Sequence, residues 1–400
     1  MTKIFEGLRV IDCSSFIAAP AAATVLSDFG ADVIKIEPPG AGDPYRNVAK
    51  LPGTPKSAHN YGWLLDNRNK RGLALDLAKP EAQAVLHRLV ERADVFITNY
   101  PLAVRGRLAI GHERLMAANE RLVYASFTGY GEAGDEAAKP GFDLTAWWAR
   151  SGLMDIIRTE ATAEPARPPT GMGDHPSGIS LFAAIVTALY QRERSGKGQR
   201  VGSSLMANGL WSNGFQTQAA LCGATFTPRP PREQALNALT VYYRCRDDRW
   251  LILTILNEDR QWPVLAQCLD REELTRDPRF VKQSDRFAHA HELISILDEA
   301  FSRRTQAEWR ERLGAGGIVF EVVAGADDIV SDKQALANGF CVPFEDSTML
   351  TIDSPFFVAG ADKVRPRLAP EVGEHSDQIL REAGYDVQQI EALRAAKAVA

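Results

Sequence analysis

Short apolar runs alternate with longer amphipathic stretches along the first half of the chain. Five runs have the length and the apolar, β-branched character of buried strands: residues 8–12, 31–36, 73–77, 94–98 and 122–127. Helix-like segments lie between several of them, including one over 80–91 with a proline in its first turn. Strands that alternate with helices predict an α/β fold with a mostly parallel sheet, helices on both faces and ligand sites at the carboxyl ends of the strands.

The second half of the chain has a different pattern. A long helix is predicted over 176–194, ended by Gly196. The proline-rich stretch 226–232 predicts a linker, and the runs 240–245 and 250–254 predict a hairpin that turns at residues 247–248. Amphipathic helices are predicted over 291–302 and 306–313. We therefore expect a large domain over 1–225, a small α+β domain over 226–325, and a return to the large domain over 326–400.

Composition and charge exclude several classes of protein. The 400 residues are 45% hydrophobic and 24% charged, which is typical of a soluble globular chain with more than one domain. The 46 basic and 51 acidic residues leave no basic excess for nucleic-acid binding. The longest apolar stretch, 179–190, is shorter than the roughly 20 residues that span a bilayer. No signal-peptide core is apparent near the first residues, so we expect a cytoplasmic protein without membrane partners.

Cysteine and histidine spacing predicts neither disulfides nor a metal site. The five cysteines are scattered and never form a CxxC pair, which is typical of free thiols in a reducing compartment. The seven histidines show no HxxxH spacing. The phosphate-binding pattern GxGxxG does not follow the first strand, and GxxxxGK[ST] and GxSxG are also absent.

The most informative polar segment is GDHPSG at residues 173–178, before the long helix. If Pro176 occupies the first helical position, Asp174 lies just ahead of the helix N-terminus. The macrodipole and free amides there favour an ionised carboxylate, which can act as a nucleophile. The same residue could simply cap the helix, and His175 could be a structural neighbour. The residues alone leave both interpretations open.

Two further segments have alternative interpretations. The basic run 67–71 could attract phosphate groups or form a solvated loop. The pair Trp147 and Trp148 could line a pocket or pack in the core.

A series of segments, taken together and in order, resembles the family III CoA-transferases. This family includes formyl-CoA and carnitine CoA-transferases and the related methylacyl-CoA racemases. The resemblance covers nearly the whole chain and is carried by residues 7–12, 19–20, 26–37, 42–44, 67–71, 75–77, 93–100, 173–174, 196–199 and 373–376.

The resemblance implies that Asp174 is the catalytic nucleophile of a CoA-transferase. Its carboxylate would attack the thioester of a donor acyl-CoA to form an aspartyl–acyl anhydride, and the CoA thiolate would then form an aspartyl-CoA thioester. A small carboxylic acid would accept CoA by the reverse sequence. This chemistry requires little water but no metal and no tightly bound cofactor, because coenzyme A and acyl-CoA are substrates.

The resemblance also implies a set of CoA contacts at the ends of strands. They are Ile17 and Ala18 after the first strand, Leu75, Asp76 and Ala78 after the third, Asn99, Tyr100 and Arg107 after the fourth, and Lys139. Arg107 and Lys139 would neutralise CoA phosphates.

Three departures from the family pattern accompany these contacts. Pro38 stands where some relatives have an arginine, and Ala78 where some have a lysine. Arg46 and Lys79 are candidate replacements. The glycine-rich loop that covers the aspartate in formyl-CoA transferase has no counterpart between residues 235 and 257.

The family fold implies a Rossmann-like large domain, a small α+β domain and an interlocked homodimer. In that arrangement the site lies between the large domain of one chain and the small domain of the other. A 2-methylacyl-CoA racemase on the same fold is the first alternative function, but racemases carry a histidine where this chain has Phe142, so we favour transfer. A non-catalytic CoA-binding protein is the second alternative.

Aromatic residues suggest an apolar or aromatic acceptor acid. Phe16, Trp63, Trp147 and Trp148 are candidates to enclose it. The run 142–152 is similar to the family branch that acts on aryl and branched 2-hydroxy or unsaturated acids. Dicarboxylic acids such as succinate stay open as donors or acceptors.

Overall fold

The computed structural model describes residues 3–400, which divide into two compact units. The larger unit comprises Met1–Ile156, Arg167–Gly223 and Gln334–Ala400, and the smaller comprises Ile157–Ala166 and Ala224–Lys333. Both ends of the chain therefore contribute to the larger unit. Nothing in the composition of 157–166 signals that this segment joins the smaller unit.

A six-stranded parallel sheet forms the centre of the larger unit. Its strands are β1 (Arg9–Asp12), β2 (Asp32–Glu37), β3 (Arg71–Ala74), β4 (Val95–Thr98), β5 (Val123–Thr128) and β6 (Arg200–Ser204). The order is β3-β2-β1-β4-β5-β6, and every neighbouring pair is parallel. In such doubly wound sheets, the loops at the carboxyl ends of the strands form the ligand site. The predicted α/β fold with a parallel sheet is confirmed.

Two strands differ from the sequence-based prediction. The third strand ends at Ala74, although the apolar run continues to residue 77. Beyond Ala74, Leu75 forms an isolated antiparallel bridge with Val399. The sixth strand was not predicted, since its sequence RVGSS is polar and only its last residue is buried.

Helices pack on both faces of this sheet. The helices up to residue 221 are α1 (Ala18–Asp28), α2 (Tyr61–Asn67), α3 (Pro80–Val90), α4 (Leu102–Arg107), α5 (His112–Ala118), α6 (Leu153–Ile156), α7 (Asp174–Ser195), α8 (Leu205–Ser212) and α9 (Gly214–Leu221), with a 3-10 helix at Pro44–Lys50 and a π-helical turn at Asp143–Ala149. Apolar side chains of α1, α7 and α8 form the core on one face of the sheet, and those of α3 and α5 contribute to the core on the other.

The smaller unit has its own sheet and core. Its strands β7 (Tyr242–Arg244), β8 (Trp250–Leu253) and β9 (Phe320–Val322) are antiparallel, and its helices are α10 (Glu258–Cys268), α11 (Gln283–Ala288), α12 (Ala290–Phe301), α13 (Gln306–Ala315) and α14 (Ala326–Ile329). Short 3-10 helices lie at Arg232–Gln234, Ala238–Thr240 and Glu272–Thr275. The predicted hairpin is confirmed: β7 pairs with β8, and Asp248 in the turn has a φ of 62°.

The last part of the chain completes the larger unit. It contains α15 (Lys333–Ala337), the hairpin of β10 (Cys341–Pro343) and β11 (Leu350–Ile352), α16 (Ser376–Glu382) and α17 (Val387–Ala395). Apolar residues of α16 and α17 join the same core as α3. Among residues 3–400, no helix has the length and apolar character needed to span a bilayer.

Close packing of α1 against α7 sets where the first turn of α7 lies. A Cβ atom added to Gly178 of α7 would stand 2.7 Å from the carbonyl oxygen of Ala18 and 3.1 Å from the Cβ of Ala21. The helices can approach this closely only because these positions carry glycine and alanine. Since α7 begins with Asp174, this contact also locates that carboxylate relative to the loop after β1.

We expect the substitution Gly178→Ala to lower the free energy of unfolding by about 1–3 kcal/mol, because the added methyl group meets backbone that cannot move aside. The matched control is Gly106→Ala in α4, where an added Cβ would have no atom within 4 Å. That change should be neutral or should stabilise by roughly 0.5–1 kcal/mol. Urea unfolding measures both, and equal stability of the two variants would contradict the packing argument.

Candidate active site

Asp174 is the first residue of α7, and Gly173 is the residue that caps the helix. The sequence predicts Asp174 ahead of the helix, with Pro176 at the first position; in fact Pro176 is the third residue. Proline is tolerated there because the first amides of a helix have no intrahelical partner. The helix-cap interpretation of Asp174 is therefore wrong. Among residues 3–400, no hydrogen bond involves its half-buried carboxylate.

The turn before Asp174 is held by Asp143. One carboxylate oxygen of Asp143 accepts from the amide of Gly171 at 2.8 Å, and the other accepts from the amide of Gly173 at 3.2 Å. A Cβ on Gly173 would lie 2.3 Å from the ring of Trp147 and 2.4 Å from the Asp143 carboxylate, so only glycine fits. Burial raises the pKa of Asp143, and its two amide bonds oppose that rise. Asp143 thus determines where α7 starts.

The surroundings of Asp174 raise its pKa to about 7. Burial is the main cause, and the negative charge of Asp143 adds to it, whereas the neighbouring His175 lowers the pKa. A carboxyl group with this pKa is a mixture of ionised and neutral forms near neutral pH. Strongly perturbed carboxylates of this kind are concentrated in catalytic sites.

His175 takes part in a hydrogen-bonded chain with two residues from other elements. Its Nε2 lies 3.0 Å from Oδ1 of Asp66, and its Nδ1 lies 2.9 Å from the carbonyl oxygen of Gly171. The hydroxyl of Tyr45 donates to the other Asp66 oxygen at 2.7 Å. Burial would lower the pKa of His175, but Asp66 outweighs this effect and raises it to about 9.

A buried network of charges lies at the carboxyl ends of β1 and β2. Asp12 accepts from Lys70 at 2.9 Å, and Lys35 donates to Asp43 at 3.0 Å. Asp43 in turn accepts from the backbone amide of Phe16 at 3.2 Å. The network therefore connects the strand ends to the loop after β1.

This network also corrects the interpretation of the basic run 67–71. The run is neither a solvated loop nor open to phosphate groups, because residues 67–70 are buried. Arg68 pairs with Asp28 at 2.7 Å, and Lys70 pairs with Asp12.

The family model for "CoA-transferase family III" matches residues 5–376. This chain belongs to the family III CoA-transferases. It is similar to the (R)-2-hydroxy-4-methylpentanoate CoA-transferase of Clostridioides difficile, with 32% identity over 99% of each chain. It is 33% identical to the cinnamoyl-CoA:phenyllactate CoA-transferase of Clostridium sporogenes, over 98% of this chain and 96% of that one.

A solved structure supports the same assignment. The crystal structure of a CAIB/BAIF family protein from Brucella suis superimposes with a TM-score of 0.86 at 27% identity, covering 96% of this chain and 100% of the other. The protein is accordingly a CoA-transferase, and acyl-CoA and carboxylic acids are its classes of substrate.

In this CoA-transferase, the loops after β1 and β4 are joined directly. Ile17 and Ala18 are buried at the start of α1, and Tyr100 is partly buried after β4. Asn99 accepts from the amide of Ser15 at 2.9 Å and donates to its carbonyl at 2.7 Å. The structure thus brings the predicted CoA contacts of these two loops together.

Other predicted CoA contacts lie further along the sheet edge or on the surface. Leu75, Asp76 and Ala78 follow β3, which β2 separates from β1. Leu75 is buried, and the amide of Asp76 donates to the carbonyl of Ala398. Arg107 is exposed at the last position of α4, and exposed Lys139 pairs with Glu136 at 2.6 Å.

Arg46 and Lys79, the candidate replacements for missing family contacts, both bind other residues of this chain. Arg46 forms two hydrogen bonds of 2.7 Å with Glu37 and lies 3.7 Å from the centre of the Trp63 ring. Lys79 donates to the carbonyl of Ala396.

Most of the aromatic residues expected to enclose the acceptor are core residues. Trp63, Trp147 and Trp148 are all buried, because they pack beneath the loops rather than line an open surface. Phe16 is partly exposed, and its ring meets that of Phe142 edge to face at 5.5 Å. The Phe142 side chain is 55% exposed. Phe16 and Phe142 therefore form an accessible aromatic pair beside the loop after β1.

Three residues around Asp174 were not assigned from the sequence: Tyr45, Asp66 and Asp143. Asp66 lies 109 positions before its partner His175, and no spacing pattern joins them. Asp143 follows Phe142 in the run 142–152. Its contact with the amides before Asp174 depends on tertiary structure, so no local signal could have shown it.

We expect Asp174→Asn to stabilise the enzyme at pH 8 by about 1–2 kcal/mol. This free energy is smaller than the one that corresponds to the whole pKa shift of Asp174, because the side chain is partly solvated. The pKa of Asp174 is about 7 in the folded chain and 3.8 in an unfolded one. The wild-type enzyme therefore loses stability as the pH rises between these values, while the asparagine variant has no proton to lose.

Urea unfolding between pH 4.5 and 8 measures this difference, which should be small at the acidic end and complete at pH 8. Asp135→Asn, at an exposed loop position, is the control and should show no such trend. A stability difference that does not change with pH would contradict the raised pKa.

Proposed function

We propose that the enzyme moves CoA from an acyl-CoA donor to a carboxylic acid acceptor, with Asp174 as the nucleophile. The carboxylate of Asp174, at the first turn of α7 and without a hydrogen bond from the described chain, carries this proposal. Its pKa of about 7 leaves a large ionised fraction at neutral pH and makes the anion more basic than an ordinary carboxylate. Both properties favour attack on a thioester.

The reaction consists of carboxylate and thiolate displacements without net proton transfer. Asp174 attacks the thioester carbonyl, the C–S bond breaks, and CoA leaves as a thiolate while an aspartyl–acyl anhydride forms. The thiolate attacks the Asp174 carbonyl carbon and expels the donor acid, which leaves an aspartyl-CoA thioester. The acceptor carboxylate then displaces the thiolate from Asp174. Attack of this thiolate on the acceptor's own carbonyl yields the new acyl-CoA and regenerates Asp174.

The proposed CoA site uses the loops after β1, β3, β4 and β5. Its contacts are Ile17, Ala18, Leu75, Asp76, Ala78, Asn99, Tyr100, Arg107 and Lys139. The two hydrogen bonds between Asn99 and Ser15 support this proposal, because they hold two of the loops at the same edge of the sheet. An interlocked homodimer in the cytoplasm is part of the same proposal.

The racemase alternative requires a second acid/base group facing the substrate. Phe142 has no ionisable group, and both carboxylate oxygens of the adjacent Asp143 accept backbone amides. His175 is the next residue after Asp174 and already binds Asp66. These contacts favour transfer over racemisation.

For the acceptor, we propose an aryl or branched 2-hydroxy acid. The exposed edge-to-face pair Phe16–Phe142 supports an apolar side chain, since Phe142 adjoins the aspartate that holds the turn before Asp174. The relatives named for 2-hydroxy-4-methylpentanoate and phenyllactate point to the same class. Dicarboxylic acids are the competing class, and other relatives are named for glutarate and oxalate.

We expect Asp174→Ala to lower CoA transfer from cinnamoyl-CoA to phenyllactate by a factor of about 10⁴ or more, because no other group can form the covalent intermediates. Circular dichroism should be unchanged. Wild-type enzyme treated with acyl-CoA and hydroxylamine should release CoA and carry a hydroxamate at Asp174, which peptide mass spectrometry detects.

The control is Asp135→Ala, which should transfer CoA at the wild-type rate. Substantial transfer by folded Asp174→Ala would exclude this nucleophile. Rapid deuterium incorporation next to the thioester of a chiral 2-methylacyl-CoA in deuterium oxide, without any modified Asp174, would show a racemase instead.

We expect Phe142→Ala to raise the KM for phenyllactate about tenfold, because apolar contact with the ring is lost, while the KM for succinate changes little. Tyr190→Ala is the control: Tyr190 is an exposed aromatic residue of α7 that lies about 24 Å along the helix from Asp174. Equal effects of Phe142→Ala on both acids would contradict the proposed acceptor class.

A further inference from the structure

His175 is held in one protonation state by the groups around it. Its two ring nitrogens both face oxygen atoms that only accept hydrogen bonds, one of Asp66 and one of the Gly171 carbonyl. A neutral imidazole has one N–H and would leave a lone pair pointing at one of these oxygens. Only the doubly protonated ring satisfies both contacts, so the geometry indicates an imidazolium.

Asp66 is equally well anchored as the counter-ion. The hydroxyl of Tyr45 donates to its second oxygen at 2.7 Å, and the ammonium of Lys70 donates to its backbone carbonyl at 2.8 Å. The side chain of Asp66 is only 2% exposed, whereas that of His175 is 42% exposed. The ion pair is therefore fixed to the buried network below it and reaches the surface through His175.

We propose that this ion pair, His175–Asp66, acts as an electrostatic positioning pair for the nucleophile, keeping a positive charge one residue from Asp174 so that a larger fraction of Asp174 is ionised. This inference rests on the proposed role of Asp174 in CoA transfer. His175 acts through Asp174 and does not itself attack substrate.

The other charged groups near His175 do not take over this role. Asp143 and Asp66 both raise the pKa of Asp174, and His175 lowers it by more than Asp66 raises it. Asp43 accepts from the backbone amide of Tyr45 and pairs with Lys35. The cavity of about 600 Å³ beside His175 also includes Arg68 and Asp353, which pair with Asp28 and Lys363.

Two variants distinguish the charge of His175 from a structural role. In His175→Gln the amide can still donate to Asp66, but the charge is lost, so the acid limb of kcat/KM should move up by about one pH unit. Transfer at pH 6 should then fall about tenfold, with little change at pH 9. In Asp66→Asn the imidazole of His175 stays charged below pH 6, whereas the negative charge at position 66 is gone. Below pH 6 the acid limb of kcat/KM should therefore move down rather than up.

His291→Gln, at an exposed position of α12, is the matched control and should keep the wild-type pH profile. A pH-independent loss of the same size in His175→Gln and Asp66→Asn would show a structural role and overturn the inference. An unchanged profile in His175→Gln would also overturn it.

Direct titration separates this inference from the proposed function. Carbon-13 NMR of carboxyl-labelled aspartate, assigned by the signal lost in Asp174→Asn, should show a higher pKa for Asp174 in His175→Gln than in the wild type. An unchanged pKa overturns the inference even if transfer is normal.

If His175→Gln does not fold, nitrogen-15 NMR of histidine in the wild-type enzyme decides. Both His175 nitrogens should be protonated at pH 8, and a neutral ring there overturns the inference. Failure of Asp174 to carry CoA would refute the proposed function without changing either titration.

Discussion

Two buried ammonium groups around the carboxylate of Asp12 form the interaction on which the active-site loops depend. Asp12 ends β1 and is fully buried, with Lys70 at 2.9 Å and Lys35 at 3.9 Å. Burial opposes the charge of Asp12, but the two lysines prevail and lower its pKa. Burial, together with the positive charge of Lys35, lowers the pKa of Lys70 to about 8. Removing one member of such a cluster leaves an uncompensated buried charge, which costs about 3–5 kcal/mol.

Lys35 and Lys70 each connect the ion-pair cluster around Asp12 to the loops near Asp174. Lys35 donates to the carbonyl of Ser14 and to Asp43, and Asp43 accepts from the amides of Phe16 and Tyr45. Phe16 is thereby kept at a φ of 64°, a left-handed conformation that a bulky side chain rarely adopts. Lys70 donates to the backbone of Asp66, whose side chain binds His175. The strand ends, the loop after β1 and the start of α7 are therefore one connected polar structure.

Beside this hydrogen-bonded network, the carboxylate of Asp174 is costly to ionise. Asp143 holds the turn before Asp174, and its negative charge also helps to raise the pKa of Asp174. The folded chain therefore gives up some stability near and above neutral pH to present a basic carboxylate that, within residues 3–400, has no hydrogen-bond partner. Such a cost is common where surrounding structure determines the conformation of a functional group.

The sequence by itself determined the parallel sheet, the long helix before Gly196 and the family, because strand periodicity and short motifs are local properties of the chain. It also singled out Asp174, since GDHPSG precedes an apolar helix. Only the tertiary structure decided that Trp147 and Trp148 are core residues and that residues 67–70 are buried. The same holds for the ion pairs near Asp174: Asp66 meets His175 across 109 positions, and Lys70 meets Asp12 across 58. Ion pairs of this kind form when folding brings residues that are distant in sequence together in the dry interior. Residue spacing and composition do not show which residues will meet there.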